Sequence, residues 1–260
     1  MNAIYKETFF LSAGETNAEQ ELSLTVLTSK LIDIATDHAN SLGIGNPSME
    51  NINAGWILSR LTIEMFRYPK ANEYYTVSTW IETFNRHFSE RAFSILSEHG
   101  ETLGYARSTW MVMDYIQHTN VGLTHLSLRD ELIDGTVPPI DRQARHCIIV
   151  EDTNQEGSGG AMLATAPIFD YRFKYCDIDF YRHVNTVRYV SLLLNRFSLD
   201  EHDTFYVKRL ELSFLNEARY GMDTQLLRCD FPDGGVTSFL LRKQSDSTPL
   251  LYARIFRNRR

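Results

Sequence analysis

Two carboxylates, an imidazole and an amide fall within one short stretch, Asp177-Ile178-Asp179-Phe180-Tyr181-Arg182-His183-Val184-Asn185. A carboxylate can orient a water and take its proton. An imidazole can give or accept a proton near neutral pH. Directly afterwards Val187, Val190, Leu194 and Phe197 recur at intervals of three and four. That spacing predicts an amphipathic helix, and Asn185 is a good N-cap for it. The polar cluster therefore sits where a loop meets a helix N-terminus. Backbone N–H groups there are free to hold a developing oxyanion, worth about 3–4 kcal/mol in a transition state. Taken alone, the stretch fits a capped, solvated loop with a surface histidine equally well.

The rest of the chain has to position this cluster. Residues 4–12 read as a strand. Leu24, Leu27, Leu31, Ile34 and His38 predict a helix with one buried face that ends near Gly43. After a loop rich in Gly, Asn and Pro, four strands are expected: Trp56 to Met65, Tyr75 to Ile81, Phe88 to Ser97 and Leu103 to Asp114. His99-Gly100-Glu101 has the character of a hairpin turn. Residues 128–165 contain Val137-Pro138-Pro139 and Glu156-Gly157-Ser158-Gly159-Gly160 and read as a linker. The order then repeats. A strand from Phe169 leads into the Asp/His loop and the helix to Phe197, and four further strands follow, beginning at Phe205, Asp223, Val236 and Leu250.

One run matches between the copies. Trp56-x-x-x-Arg60-Leu61-x-Ile63-x-Met65 aligns with Phe205-x-x-x-Arg209-Leu210-x-Leu212-x-Phe214. This predicts two copies of one α+β module, paired as a pseudo-dimer, with an N-terminal module over 1–127 and a C-terminal one over 166–260. The alignment sets Tyr68 opposite Glu217. It sets the Asp/His loop opposite Ser12-Ala13-Gly14-Glu15-Thr16-Asn17, which has no histidine. Acid–base chemistry is thus expected in the second copy only.

Composition narrows the function classes. The 260 residues are 43% hydrophobic and 23% charged, ordinary for a folded globular chain. No apolar run approaches the roughly 18–20 residues of a membrane span. Residues 1–7 lack the apolar core of a secretory leader. Cys147, Cys176 and Cys229 are odd in number and show no metal-type spacing. The expectation is reduced thiols in a cytoplasmic setting, with no metal, nucleotide or flavin cofactor. A net charge of −7 argues against nucleic-acid binding, but the charge is uneven. Residues 166–260 hold 15 Lys and Arg against 12 Asp and Glu, while residues 1–165 stand at −10. A basic second half suits an acidic macromolecular partner. Chance and an Arg-rich tail account for the imbalance as well.

With these motifs in place, the chain resembles the acyl-acyl carrier protein (acyl-ACP) thioesterases of plants and bacteria. The C-terminal run Asp-Ile-Asp-x-x-x-His-Val-Asn-x-Val-x-Tyr is similar to that family's signature. So is Trp56-Ile57-Leu58-Ser59-Arg60-Leu61-x-Ile63-Glu64-x-x-Arg67-Tyr68-Pro69, together with Thr79-Trp80-Ile81 and Ala106-Arg107-Ser108-x-Trp110. The resemblance implies a double hotdog fold, in which each long helix is wrapped by an antiparallel sheet. It implies hydrolysis of the thioester joining a fatty acyl chain to the phosphopantetheine arm of acyl carrier protein. It carries catalytic roles onto Asp179, His183 and Glu217. At position 181 the family pattern has Asn, and this chain has Tyr181. Where many relatives have Cys after the Glu, this chain has Ala218. Asn185 matches a second Asn of the family loop, with a structural role. The resemblance also places an acyl pocket in the N-terminal half, for which Trp56, Ile63, Met65, Trp80 and Trp110 are the candidates. Arg182, Arg188 and Arg219, and further off Arg196, Lys208 and Arg209, are candidates for contact with the carrier. Two other readings stand beside this one: an acyl-coenzyme A thioesterase, and a weakly active or silent acyl-binding protein on account of Tyr181. The quaternary state is open between a monomeric pseudo-dimer and a homodimer.

Overall fold

The structure, a computed structural model, is described for residues 3–117, 119–124, 126, 130–143, 168–231 and 234–260. The chain divides into two units, Met1–Arg142 and Gln143–Arg260. Most of the stretch read as a linker, residues 128–129 and 144–165 with Cys147, lies outside the described residues.

In the first unit, β1 (Ile4–Phe10) precedes α1 (Leu24–Ser41). Then come β2 (Ala54–Met65), β3 (Tyr74–Phe84), β4 (Ser89–Ser97) and β5 (Thr102–Asp114). The strands stand in the order β1-β3-β4-β5-β2, and all four pairings are antiparallel. α1 begins where the Ser23 hydroxyl accepts the Val26 N–H at 3.2 Å. It closes at Gly43, whose φ of +73° lets the Ile44 N–H reach back to the Ala39 carbonyl at 3.0 Å. The face expected from periodicity is the buried one: Leu24, Leu27, Leu31, Ile34 and His38 are all at most 6% exposed. The turn expected at His99-Gly100-Glu101 closes β4 onto β5, with Gly100 at φ +82°.

The stretch 130–142, which opens the expected linker, runs along the first unit. Ile133 bridges Ile81, the Trp80 indole N–H donates to the Thr136 carbonyl at 2.7 Å, and Arg142 reaches Glu82 and Glu90.

The second unit repeats the topology. β6 (Ile168–Arg172), α2 (Thr186–Leu194), α3 (Leu199–Thr204), β7 (Phe205–Phe214), β8 (Asp223–Asp230), β9 (Val236–Lys243) and β10 (Pro249–Arg259) follow in turn. Their sheet order is β7-β10-β9-β8-β6, again antiparallel throughout. The expected second long helix is broken. α2 has nine residues against eighteen in α1. It stops because Ser198 and Glu201 form a capping box that starts α3 afresh. The buried face of α2 also centres on Tyr189, Val190 and Leu193 rather than on Val187 and Leu194.

Candidate active site

Asp179, Tyr181, Arg182 and His183 share one tight hairpin. The Asp179 N–H donates to the His183 carbonyl at 2.8 Å, and the Arg182 N–H donates to the Asp179 carbonyl at 3.1 Å. Closing so short a loop forces Arg182 to φ +69°, the left-handed region that a side chain adopts only when its surroundings hold it there. The Asp179 carboxylate holds the turn from inside. Its Oδ1 accepts the backbone N–H of Tyr181 at 2.9 Å and of His183 at 3.1 Å. What Asp179 grips is therefore the backbone of His183, not its ring.

The ring is met from a distant part of the chain. The loop after β7 pairs with the hairpin: His183 bridges Arg219, and the Val184 N–H donates to the Ala218 carbonyl at 2.9 Å. This register delivers Glu217 to the imidazole, with His183 Nε2 3.1 Å from Glu217 Oε2. Both side chains are largely sheltered, at 18% and 32% exposed. Arg219 Nη2 stands 3.5 Å from the same carboxylate oxygen. The carboxylate therefore faces two cationic or proton-bearing partners.

Sequence reasoning passed over Tyr189 as a member of this site. It is 4% exposed, with its ring edge-on to Phe173 and Phe214. Burial raises the pKa of its hydroxyl, the Ala218 backbone N–H opposes that shift, and the Glu217 and Asp179 carboxylates add to it. The phenol therefore stays neutral beside both acids. The available signal was its place one turn into α2, on the face that must turn inward.

Asn185 caps α2 as expected, its Oδ1 accepting the Val187 N–H at 2.9 Å. The Arg188 N–H donates to the Asn185 carbonyl. Two of the N–H groups that the helix start offered to an oxyanion are thus already engaged. Tyr181 is half-buried, its ring 3.9 Å from that of Phe180.

The first unit contains the same loop without the chemistry. The Asn17 N–H donates to the Glu21 carbonyl at 2.8 Å, Gln20 takes φ +60°, and the Leu22 N–H donates to the Pro69 carbonyl at 2.8 Å. Residue for residue, Asn17 answers Asp179, Glu21 answers His183 and Tyr68 answers Glu217. The Tyr68–Glu217 offset read from sequence is thus the structural one, but the counterpart loop extends past Asn17 to Ser23. Asn17 Oδ1 accepts the Glu21 N–H at 2.8 Å, as Asp179 does for His183. An amide suffices for this turn. Asp179→Asn is accordingly expected to keep kcat/KM within about tenfold of the parent, and Asp179→Ala to lose about a hundredfold through a misplaced ring. Equal losses in the two variants would make the charge, and not the turn, the contribution.

The remaining predicted residues fall as follows. Ile63, Met65 and Trp80 are buried in the first unit. Trp56 is half-buried and donates its indole N–H to the Ile44 carbonyl at 2.7 Å. Trp110, also half-buried, donates to the Ser108 hydroxyl. Arg182 and Arg188 are exposed, while Arg219 is drawn towards Glu217. Arg209 is 8% exposed and locked to Glu211 at 2.8 Å, so it faces the interior and not a partner.

Comparison with known proteins bears on the family and the fold. Residues 2–123 match the family model of the acyl-ACP thioesterase N-terminal domain, and residues 162–252 that of the C-terminal domain. The palmitoyl-acyl carrier protein thioesterase of Gossypium hirsutum is 24% identical over 230 residues, which are 86% of this chain and 54% of that one. Oleoyl-acyl carrier protein thioesterase 2 of Arabidopsis thaliana is 24% identical over 232 residues, 83% of this chain and 60% of that one. The chain thus spans only between half and three fifths of these curated relatives. The crystal structure of an acyl-ACP thioesterase from Bacteroides thetaiotaomicron superposes with a TM-score of 0.85 at 26% identity and covers 98% of both chains. The 12:0-ACP thioesterase of Umbellularia californica, at 18% identity, a TM-score of 0.79 and 100% and 99% coverage, shares the fold. With both halves matched in order along an α+β double hotdog, the chain belongs to the acyl-ACP thioesterase family.

Proposed function

We propose that the chain hydrolyses the thioester between a fatty acyl group and the phosphopantetheine arm of an acyl carrier protein. The observation that carries this reading is the meeting of His183 and Glu217, 3.1 Å apart across two loops, on a turn that Asp179 holds.

Glu217 acts as the base. With the proton of His183 Nε2 directed at the carboxylate and fixing its orientation, Glu217 takes a proton from water as the water oxygen attacks the thioester carbonyl. The carbonyl oxygen gains negative charge, and the C–S bond breaks as the tetrahedral species collapses. The thiolate leaves and takes up the proton that Glu217 received. The products are a carboxylic acid and the free thiol of the carrier. A thiolate is a good leaving group, so activation of the water by the base carries most of the acceleration. In this reading Asp179 and His183 place and orient the base, and the neutral Tyr189 phenol beside them keeps the local negative charge down. The apolar positions Trp56, Ile63, Met65, Trp80 and Trp110 of the first unit are assigned to the acyl chain.

Among the described residues no helix is long and apolar enough to cross a membrane. The reading is tested by thiol release over a series of acyl-ACP chain lengths, with acyl-coenzyme A in parallel. Release from the carrier thioesters at some chain length is expected, and its absence at every length would overturn the proposal.

A weakly active protein is the second reading, and Tyr181 favours it. The phenol occupies the position where the family pattern has an amide, and its bulk lies against Phe180. Tyr181→Asn is expected to raise kcat/KM by about tenfold, the worth of one well-placed hydrogen bond. An unchanged or lower value would show that the phenol does not obstruct the site.

A further inference from the structure

The internal repeat supplies a control for the surface around the site. Three large side chains stand almost wholly in solvent there: Tyr175 at 84% exposed, Phe180 at 82% and Tyr220 at 70%. Each sits on its own turn. Tyr175 opens the short helical turn before the hairpin, Phe180 is at the hairpin tip, and Tyr220 follows Arg219. The first unit has the same three turns with the same backbone bonds. The Thr16 N–H donates to the Ala13 carbonyl as that of Ile178 does to Tyr175. The Asn72 N–H donates to Leu11 as that of Gly221 does to Phe173. Through this correspondence the three aromatic positions are answered by Ala13, Ala18 and Ala71. The turns fold without the rings, so the rings serve something outside the unit.

The charges beside them follow the same contrast. Over 172–188 and 216–220 every exposed charged residue is basic: Arg172, Lys174, Arg182, Arg188 and Arg219, of which Arg172 also pairs with Asp223 and Arg219 with Glu217. The acids of those stretches, Asp177, Asp179 and Glu217, are buried or half-buried. The matching stretches of the first unit expose only Arg67 and Lys70. Exposed rings ringed by cations have the composition of a protein docking surface: aromatic anchors carry the affinity, and the charges steer an acidic partner.

We propose that Tyr175, Phe180 and Tyr220 are the anchors on which the acidic carrier protein docks, with the basic residues between them steering its approach. The inference rests on the thioesterase reading and specifies where its carrier sits. A protein occupant fits better than a nucleotide. The rings are spread over three turns, and all five cations are solvent-exposed rather than gathered in a recess that would grip phosphates.

The test compares the full chain with the triple variant Tyr175→Ala, Phe180→Ala, Tyr220→Ala. One acyl group is presented on acyl carrier protein, on coenzyme A and on pantetheine alone. The expected result is a rise in KM of about tenfold or more for the carrier substrate. Values for acyl-pantetheine stay unchanged, which also shows that the hairpin and Glu217 are undisturbed. An unchanged carrier KM overturns the docking surface. So does an equal loss on pantetheine, and so does a matching rise in KM for coenzyme A, which would mark a nucleotide site. Binding of a carrier bearing a non-hydrolysable acyl thioether separates the two proposals. If the parent hydrolyses none of the substrates, the thioesterase reading fails, while tight binding to the parent and weak binding to the triple variant still upholds the surface. Equal binding to both refutes it.

Discussion

Glu217→Gln is expected to lower kcat/KM by about a hundred- to ten-thousandfold, the range over which a positioned general base contributes, with no measurable change in the unfolding midpoint. The substitution is nearly isosteric. A Gln amide oxygen still accepts from His183 Nε2 at the 3.1 Å separation seen for Glu217, so the loops keep their register. What is lost is the ability to take a proton. The side chain is 32% exposed, and the equivalent place in the first unit is held by Tyr68, so the fold does not depend on a carboxylate there. Thiol release and a thermal melt on one preparation decide the matter. Retention of more than about a tenth of the activity would move the base elsewhere, and Asp179 would be the next candidate. Glu217→Ala distinguishes positioning from chemistry. It removes the partner of His183 as well and is expected to be no more active than the Gln variant.

How such a site is written into a sequence differs from residue to residue. The polar loop and the helix start are legible because their signals are local. Asn185 before an apolar stripe is an N-cap wherever it occurs, and Gly43 after the periodic run stops α1 through its positive φ. Ser198-Leu199-Asp200-Glu201 carries an equally local capping box, but it does not show that α2 ends at Leu194, because the apolar period reaches Phe197 without a glycine or proline to break it. Glu217 is another kind of case. Nothing near it in the chain marks it. It is selected by the register that pairs His183 with Arg219, a contact between residues 36 positions apart. Only the alignment of the two modules and the family resemblance pointed there. Asp179 is marked by its place in the Asp/His loop, but its backbone partners depend on the exact turn geometry, which a pattern of residue types does not encode. Tyr189 is legible as a buried residue and not as a neighbour of two carboxylates. The exposed rings of Tyr175, Phe180 and Tyr220 became informative only once the structural repeat set alanines opposite them.

Removing Glu82 is expected to be the most damaging single change to the first unit. Glu82 sits on β3 at a register shift between Ile81 and Thr83, its side chain 3% exposed. Its Oε1 receives Arg107 of β5 and, at 3.0 Å, Arg142 from the far end of the 130–142 segment. Arg107 is itself only 12% exposed. Glu82→Ala leaves that guanidinium buried without its counter-charge. Breaking a buried pair from one side costs about 3–5 kcal/mol, because the surviving ion keeps its desolvation penalty and loses the attraction that offset it. For a unit of this size that corresponds to a melting point lower by roughly 10–17 °C. Arg142→Ala is the contrasting case. Arg142 is 61% exposed, so its loss should cost under about 1 kcal/mol. All three tryptophans, Trp56, Trp80 and Trp110, belong to the first unit, so urea unfolding followed by tryptophan fluorescence reports on it alone. Trp80 is tied to Thr136 of the same segment, and loosening Glu82 should also open 130–142 to protease. Glu82→Leu combined with Arg107→Met is expected to recover most of the loss, since an apolar pair of similar volume carries no desolvation penalty. If Glu82→Ala costs no more than Arg142→Ala, the buried ion pair does not hold the sheet, and the apolar packing of Ile81 against Leu132 and Ile133 must do so instead.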